Sequence, residues 1–94
     1  ISMQTNGTLI NKDKILELCL NSQVPCKTAM RIAECESQYG KYPYNWEKSS
    51  ALGIYQFTTR TWNNYCKGEV LNMEDNIKCF LKLYPKHPNW WKCS

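Results

Sequence analysis

Six cysteines in a chain of 94 residues constrain this protein more than any other feature of its sequence. A chain this short forms one domain with a small hydrophobic core, and cross-links supply the stability that such a core lacks. Their number is even, and neither a Cys-x-x-Cys pair nor a histidine cluster provides metal-ligand spacing, so we expect no metal and no cofactor. The sequence therefore predicts three disulfides and an oxidising compartment: secreted, periplasmic or cell surface. The cysteines are Cys19, Cys26, Cys35, Cys66, Cys79 and Cys93.

The pairing of these cysteines is not decided by their number, because six cysteines can pair in many ways. The predicted helices favour one arrangement, in which a bridge joins two helix ends across a short connector. A second bridge then pins the second helix to the end of the third, and a third bridge ties the tail to the last helix. The expected pairs are Cys19–Cys26, Cys35–Cys66 and Cys79–Cys93.

Hydrophobic spacing predicts a mostly α-helical chain, folded as a single domain over residues 1–94, with about four helices. Residues 1–10 are polar and turn-like, and we expect them to be irregular. Residues 41–57 are rich in aromatic and small residues, and we expect a loop or short hairpin that carries a site. Capping and stop signals place the helices at about 12–20, 26–39, 58–67 and 73–84.

The net charge of +4 is spread along the chain and forms no basic run. This pattern favours anionic partners such as cell-wall polymers and argues against nucleic acid, which usually requires a basic stripe. The sequence holds no apolar run long enough for a membrane span and no signal peptide. We therefore expect a monomeric mature piece, or a domain of a longer exported polypeptide.

Glu36 is an acid on a helix face that is otherwise apolar. Ala29, Ile32, Ala33 and Glu36 share one face at helical spacing, whereas Glu34 lies on the other side, given roughly 100° per residue. A carboxyl group on an apolar face near a helix C-terminus resists ionisation, so its pKa should be raised. A raised pKa makes a carboxyl group a usable general acid near neutral pH.

A structural role for Glu36 is equally open on periodicity alone. In that alternative the carboxylate caps a loop, or it pairs with Arg31 or Arg60.

Three blocks of sequence resemble the lytic transglycosylase and goose-type lysozyme fold family. They are Glu36-Ser37, the run Ser-Ala-Leu-Gly-Ile-Tyr-Gln-Phe at 50–57, and Thr61. The family carries Glu-Ser at a helix end, then a Gly-Leu-Met-Gln-like turn, then a threonine. Asn76-Ile77 is similar to an Asn-Ile motif that the family has at the head of a later helix.

The string Cys35-Glu36-Ser37, followed by Gln56-Phe57 and Thr61-Trp62, is more similar still to resuscitation-promoting factors, a small branch of the same fold. The resemblance covers residues 26–84 and hardly touches the first 20. The larger transglycosylases have a late Ala-Tyr-Asn block. This chain lacks that block, and so does the smaller branch.

The resemblance implies that Glu36 is the catalytic acid and that the matching blocks contact substrate. Tyr55, Tyr44 and Trp46 are also candidates for stacking on sugar faces. Other interpretations stay open: Gly53 as a simple turn, Gln56 as a loop-anchoring core amide, Asn76 as an ordinary helix start, and each aromatic as packing. The predicted substrate-binding residues are Gln56, Tyr55, Ser37, Gly53, Thr61, Asn76, Tyr44 and Trp46.

The implied function is cleavage of peptidoglycan between N-acetylmuramic acid and N-acetylglucosamine. A lytic transglycosylase uses one Glu as acid and then as base, whereas an inverting lysozyme needs a second carboxylate. Glu47 and Asp75 are candidates for that second acid, but neither lies in a recognisable motif, so the transglycosylase is preferred. Two other classes remain as alternatives: a non-catalytic glycan-binding module, and a small disulfide-rich effector or inhibitor.

Overall fold

The computed structural model describes residues 3–44 and 51–94, and the side chains from residue 7 onward in these ranges. Within them the chain forms four α-helices, no β-strand and three disulfides, which confirms the predicted mostly α-helical fold. None of the described helices has the length and apolarity needed to cross a membrane. The helices are α1 (Met3–Cys19), α2 (Cys26–Ser37), α3 (Thr59–Tyr65) and α4 (Met73–Leu83), followed by a short 3₁₀ turn, Pro88–Trp90.

Helix α1 begins earlier than the sequence predicts. It starts at Met3, so the expectation of an irregular segment is wrong for residues 3–10. Asn11 lies inside the helix, and its side-chain amide donates to the Tyr39 carbonyl over 2.8 Å. The reason is cooperative: packing of Ile15, which is 0% exposed, fixes the later turns, and each added residue then extends a helix that already exists.

Helix α2 buries its apolar face and ends in two residues of left-handed backbone. Ile32 and Ala33 are fully buried, as the periodicity predicts. Gln38 has φ 50° and donates its N–H to Glu34 O, and Tyr39 has φ 59° and donates to Ala33 O. These bonds close the last turn of α2 in the manner of a C-cap, and Glu36 therefore lies in a well-ordered final turn.

The segment after the undescribed residues forms a tight turn that packs on α4. Leu52 and Phe57 exchange two backbone hydrogen bonds of 2.8 and 2.9 Å, and Leu52 also forms an antiparallel bridge with Tyr44. These two isolated bridges are all that the described residues show of the predicted hairpin. The Asn76 side chain accepts from Tyr55 N over 2.9 Å and donates to Val70 O over 2.6 Å. One buried amide thus fixes the turn against the start of α4.

One hydrophobic cluster takes residues from all four helices, the Leu52–Phe57 turn and the C-terminal segment. Tyr55 stacks on Phe80 at a centroid distance of 3.7 Å and donates its hydroxyl hydrogen to Ala29 O. Trp91 packs edge-on against Phe80 and donates its indole N–H to Tyr55 O over 2.8 Å. The C-terminal segment is therefore part of the core and not a loose tail.

The disulfides follow the predicted pairing at one bridge only. Cys19–Cys26 is confirmed, whereas the predicted pairs Cys35–Cys66 and Cys79–Cys93 are wrong. The observed bridges are Cys35–Cys93 and Cys66–Cys79. The error arises because the burial of Trp91 brings the tail across to the end of α2, while the end of α3 lies against α4.

We expect the Cys35–Cys93 bridge to stabilise the fold most. It spans 58 residues, against 7 for Cys19–Cys26, and the loss of loop-closure entropy in the unfolded chain grows with that span. Replacing both cysteines of a bridge by alanine should cost about 4 kcal/mol for Cys35–Cys93 and about 2 kcal/mol for Cys19–Cys26. Urea unfolding of the two double variants measures the difference, and a reversed order would contradict it.

Gly53 should tolerate no side chain. It has φ 86°, and a Cβ there would lie 2.8 Å from the Val70 carbonyl oxygen and clash with the Asn76 side-chain amide. We expect Gly53→Ala to destabilise the protein by at least about 1–3 kcal/mol, the cost of the backbone strain alone.

Gly7→Ala is the matched control for Gly53→Ala, because Gly7 lies in α1 and a Cβ there would meet no atom within 4 Å. Alanine in a helix interior should stabilise by about 0.5–1 kcal/mol. Thermal unfolding of both variants checks the pair, and a Gly53→Ala protein as stable as the wild type would contradict the packing described.

Candidate functional site

A cleft of about 180 Å³ lies where the end of α2, the Leu52–Phe57 turn and the C-terminal segment meet. Glu36 comes from α2, Gln56 from the turn, and Trp90 from the C-terminal segment. The structure thus brings together the two residues that the sequence motifs single out most strongly. The residues lining the cleft are Glu36, Ala51, Gln56, Thr58, Trp90, Trp91 and Lys92.

Glu36 is half-buried at one wall of the cleft, while Glu34 is exposed, as the helical periodicity predicts. Burial raises the pKa of Glu36, and the backbone N–H of Cys93 and the positive charge of Lys92 offset part of that rise. The Cys93 N–H donates to a Glu36 carboxylate oxygen over 3.4 Å. The group is therefore an acid whose proton is retained more readily than that of an exposed glutamate.

The alternative of an ion pair for Glu36 is wrong for both arginines. Within the described residues, Glu36 forms no salt bridge with Arg31 or Arg60. Arg31 donates instead to the Cys93 carbonyl over 2.7 Å. The loop-capping alternative holds in part, because Glu36 accepts from the Cys93 N–H while it also lines the cleft.

Gln56 combines an anchoring role with an unused acceptor. Its backbone has φ 55°, and its side-chain nitrogen donates to Gly53 O over 2.8 Å and to Pro43 O over 3.2 Å. Its side-chain oxygen is buried and accepts no hydrogen bond from any described residue. A buried acceptor without a donor costs free energy, which a bound N–H or O–H would recover.

Three predicted substrate contacts belong to the interior instead. Tyr55, Asn76 and Ser37 are 0%, 1% and 2% exposed, and none of them lines the cleft that contains Glu36. Ser37 donates its hydroxyl hydrogen to Ile54 O over 2.7 Å and accepts from the Gly40 N–H. These side chains hold the turn against α2 and α4, and they position the cleft without lining it.

The remaining predicted contacts lie away from Glu36 or outside the described residues. Gly53 and Tyr44 line a different cavity, of about 300 Å³. Thr61 does not line the Glu36 cleft, and its hydroxyl bonds to that of Thr58 over 3.0 Å as part of the α3 N-cap. Trp46 lies outside the described residues, and its role stays a prediction.

Of the two candidates for a second carboxylate, Asp75 is the one that lies among the described residues, and it does not line the cleft. Asp75 serves the start of α4 and accepts from the Glu69 N–H over 3.1 Å. Glu47 lies outside the described residues. Of the described residues that line the cleft, Glu36 is the sole carboxylate.

The C-terminal segment provides a wall of the cleft that no sequence motif predicts. Trp90, Trp91 and Lys92 line the cleft, although the sequence indicates only a tail tied down through Cys93. The available signal is the position of the cysteines: Cys93 directly follows Lys92 and Cys35 directly precedes the acid, so a bridge between them brings this segment to Glu36.

Comparison with known proteins gives no match: no protein-family model, no curated protein and no solved structure matches this chain. Within residues 3–44 and 51–94, no group of three or more His, Cys, Asp or Glu side chains is arranged to hold a metal ion. The site is therefore interpreted from the chemistry of its own residues.

The raised pKa of Glu36 sets a pH dependence of stability. The folded protein holds this proton more tightly than the unfolded chain does, so the free energy of unfolding falls as pH rises from the ordinary glutamate pKa through the folded-state value. Glutamine cannot titrate. We expect Glu36→Gln to gain stability relative to the wild type as pH rises through that window.

Melting temperatures of both proteins, measured from about pH 4 to about pH 8, test this expectation. The compared quantity is the melting temperature of Glu36→Gln minus that of the wild type. If this value stays constant or falls as pH rises, burial does not raise the Glu36 pKa.

Proposed function

We propose that this protein cleaves the peptidoglycan bond between N-acetylmuramic acid and N-acetylglucosamine, as a lytic transglycosylase with Glu36 as its acid. The observation that carries the proposal is the half-buried carboxyl group, with a raised pKa, that shares a cleft with Gln56. The resemblance of the Glu36-Ser37 and 50–57 blocks to that family supports it. The likeness rests on motif order and spacing.

Glu36 acts twice in the proposed reaction. Protonated, it gives its proton to the glycosidic oxygen as the bond to C1 breaks, and the substrate's N-acetyl group assists. As a carboxylate, it then takes the proton of the sugar 6-hydroxyl while that oxygen bonds to C1, which leaves an anhydro sugar. The Cys93 N–H and the nearby Lys92 charge stabilise the carboxylate between the two steps.

Gln56 supplies the substrate contact that this scheme needs. Its side-chain oxygen has no donor among the described residues, and the N–H of an acetamido group is a donor of the right kind. Because that oxygen is buried, the contact requires the side chains that cover it to move aside when substrate binds. Two hydrogen bonds from its side-chain nitrogen fix the amide, so little conformational entropy is lost when substrate binds.

A hydrolytic lysozyme acting on the same bond is the second candidate. An inverting mechanism needs a second carboxylate on the far side of a water molecule. Asp75 does not line the cleft and Glu47 lies in no recognisable second-acid motif, which favours the transglycosylase. A non-catalytic glycan-binding module is less favoured, because a binder gains nothing from a carboxyl group with a raised pKa.

The disulfides are consistent with an oxidising compartment. The proposal adds that the protein works there as a secreted, periplasmic or cell-surface monomer. Its partners would be the glycan strands of the wall, and its net charge of +4 favours the anionic polymers found there.

We expect Glu36→Gln to abolish turnover while the fold is retained. General acid catalysis accounts for about 10² to 10⁴ in rate, and a glutamine amide cannot donate the required proton. Glu34→Gln is the matched control, because Glu34 is exposed and does not line this cleft. Turnover of labelled peptidoglycan measures both, and near-wild-type activity of Glu36→Gln would disprove the assignment.

Mass spectrometry of digested peptidoglycan separates the candidate functions. An anhydro-muramic product identifies a lytic transglycosylase, whereas a reducing-end product identifies a lysozyme. Retention on insoluble peptidoglycan without any soluble product identifies a glycan-binding module, and it would overturn the proposed catalysis.

A further inference from the structure

The C-terminal segment presents two exposed side chains at the cleft that the proposed mechanism leaves without a contact to substrate. Trp90 is 43% exposed and Lys92 is exposed, and both line the cleft that contains Glu36. Trp91, between them, is buried in the core and also lines the cleft. Trp90 ends the 3₁₀ turn and Lys92 comes two residues later, so both exposed side chains border the cleft that contains Glu36.

Several bonds hold this segment in place, so the two side chains are presented by a rigid wall. Cys93 is bridged to Cys35, and its carbonyl oxygen accepts from Arg31. The Trp91 indole N–H donates to Tyr55 O. A wall fixed in this way loses little backbone entropy when a ligand binds.

The Trp90 ring is oriented by aromatic neighbours rather than by the core. His87 stacks on it at a centroid distance of 3.9 Å and an interplanar angle of 9°, and the Tyr65 ring lies 5.2 Å from it. Tyr65 is itself 46% exposed, so this arrangement fixes a tryptophan at the surface. Exposed aromatic groups set in place at the edge of a cleft mark a binding surface.

Lys92 has a charge that no described residue pairs with. Among residues 3–44 and 51–94, it takes part in no salt bridge, and its influence on Glu36 acts through space. Glu36 is the only carboxylate among the described residues that line the cleft. A ligand carboxylate entering the cleft would meet this free ammonium group.

We propose that Trp90 and Lys92 form a subsite for a carboxylate-bearing amino sugar, next to the catalytic acid. The indole packs against the apolar face of the sugar ring, and the ammonium group binds the carboxylate. In the proposed function, which this inference rests on, that sugar is an N-acetylmuramic acid unit that carries no stem peptide, so that its lactyl carboxylate is free. That carboxylate distinguishes the unit from the neutral sugars of N-acetylglucosamine polymers.

Binding to the inactive Glu36→Gln protein tests the subsite apart from catalysis. The probes are a muramic-acid-containing disaccharide and a neutral N-acetylglucosamine oligomer, followed by calorimetry. Removal of the Glu36 charge also removes any effect that Lys92 exerts through that carboxylate. Unfolding temperatures of all variants establish that each is folded.

Lys92→Gln should weaken binding of the acidic saccharide by about 2- to 5-fold, leave the neutral oligomer unchanged, and be rescued by Lys92→Arg. Lys86→Gln is the matched control, because Lys86 is an exposed lysine of the same segment that does not line the cleft. It should leave both saccharides unaffected. An equal loss for both saccharides in Lys92→Gln would overturn the carboxylate contact.

Trp90→Ala should weaken both saccharides by about 5-fold or more, and Trp90→Phe should restore part of the loss. Unchanged binding in a folded Trp90→Ala protein, or no binding of either saccharide to the Glu36→Gln protein, would overturn the subsite. If these binding effects are seen and wild-type protein releases no product from peptidoglycan, the subsite stands and the proposed catalysis fails.

Discussion

The hydrogen bonds of one buried amide, Asn76, decide where the cleft lies. A side-chain amide removed from water costs several kcal/mol unless its donors and acceptors are paired, roughly 2–7 kcal/mol. The Asn76 side chain accepts from the Tyr55 N–H and donates to the Val70 carbonyl. The turn therefore has one position in which the buried amide makes both hydrogen bonds. Gly53 must then be a glycine, because its backbone passes against that amide. Gln56 reaches the cleft as a result, although the residue that places it never touches a ligand.

The opposite wall depends on apolar packing and on a covalent bond. Trp91 lies among Phe57, Phe80 and Tyr84, and this burial carries the C-terminal segment across the domain to α2. The Cys35–Cys93 bridge fixes it there. A small core gains from such a long-range bridge, because the bridge restricts the unfolded chain most where the loop is longest. The same segment carries the Cys93 N–H and the Lys92 charge, which offset part of the rise in the Glu36 pKa.

Features that depend on local periodicity could be predicted from the sequence, and those set by long-range packing could not. The face of α2 that carries Glu36, the approximate starts of α3 and α4, and the mostly α-helical fold follow from residue spacing and capping signals. Tyr55 was misplaced because Gln56, a non-glycine residue, adopts left-handed backbone and changes which side chains of the turn face inward. Two disulfides and the Trp90 wall were missed, because they depend on where Trp91 is buried.

The three consecutive residues at the end of α2 tie the acid to both of its walls. Ser37 bonds to the turn through Ile54 O, Cys35 holds the C-terminal segment, and Glu36 lies between these two attachment points. A shift of α2 therefore carries the acid and both walls together as one rigid unit. Small changes of helix packing elsewhere in the domain, including those that accumulate as a sequence diverges, leave the spacing inside the cleft unaltered. Insertion or loss of a single residue within this triplet would instead turn the carboxylate away from both walls at once.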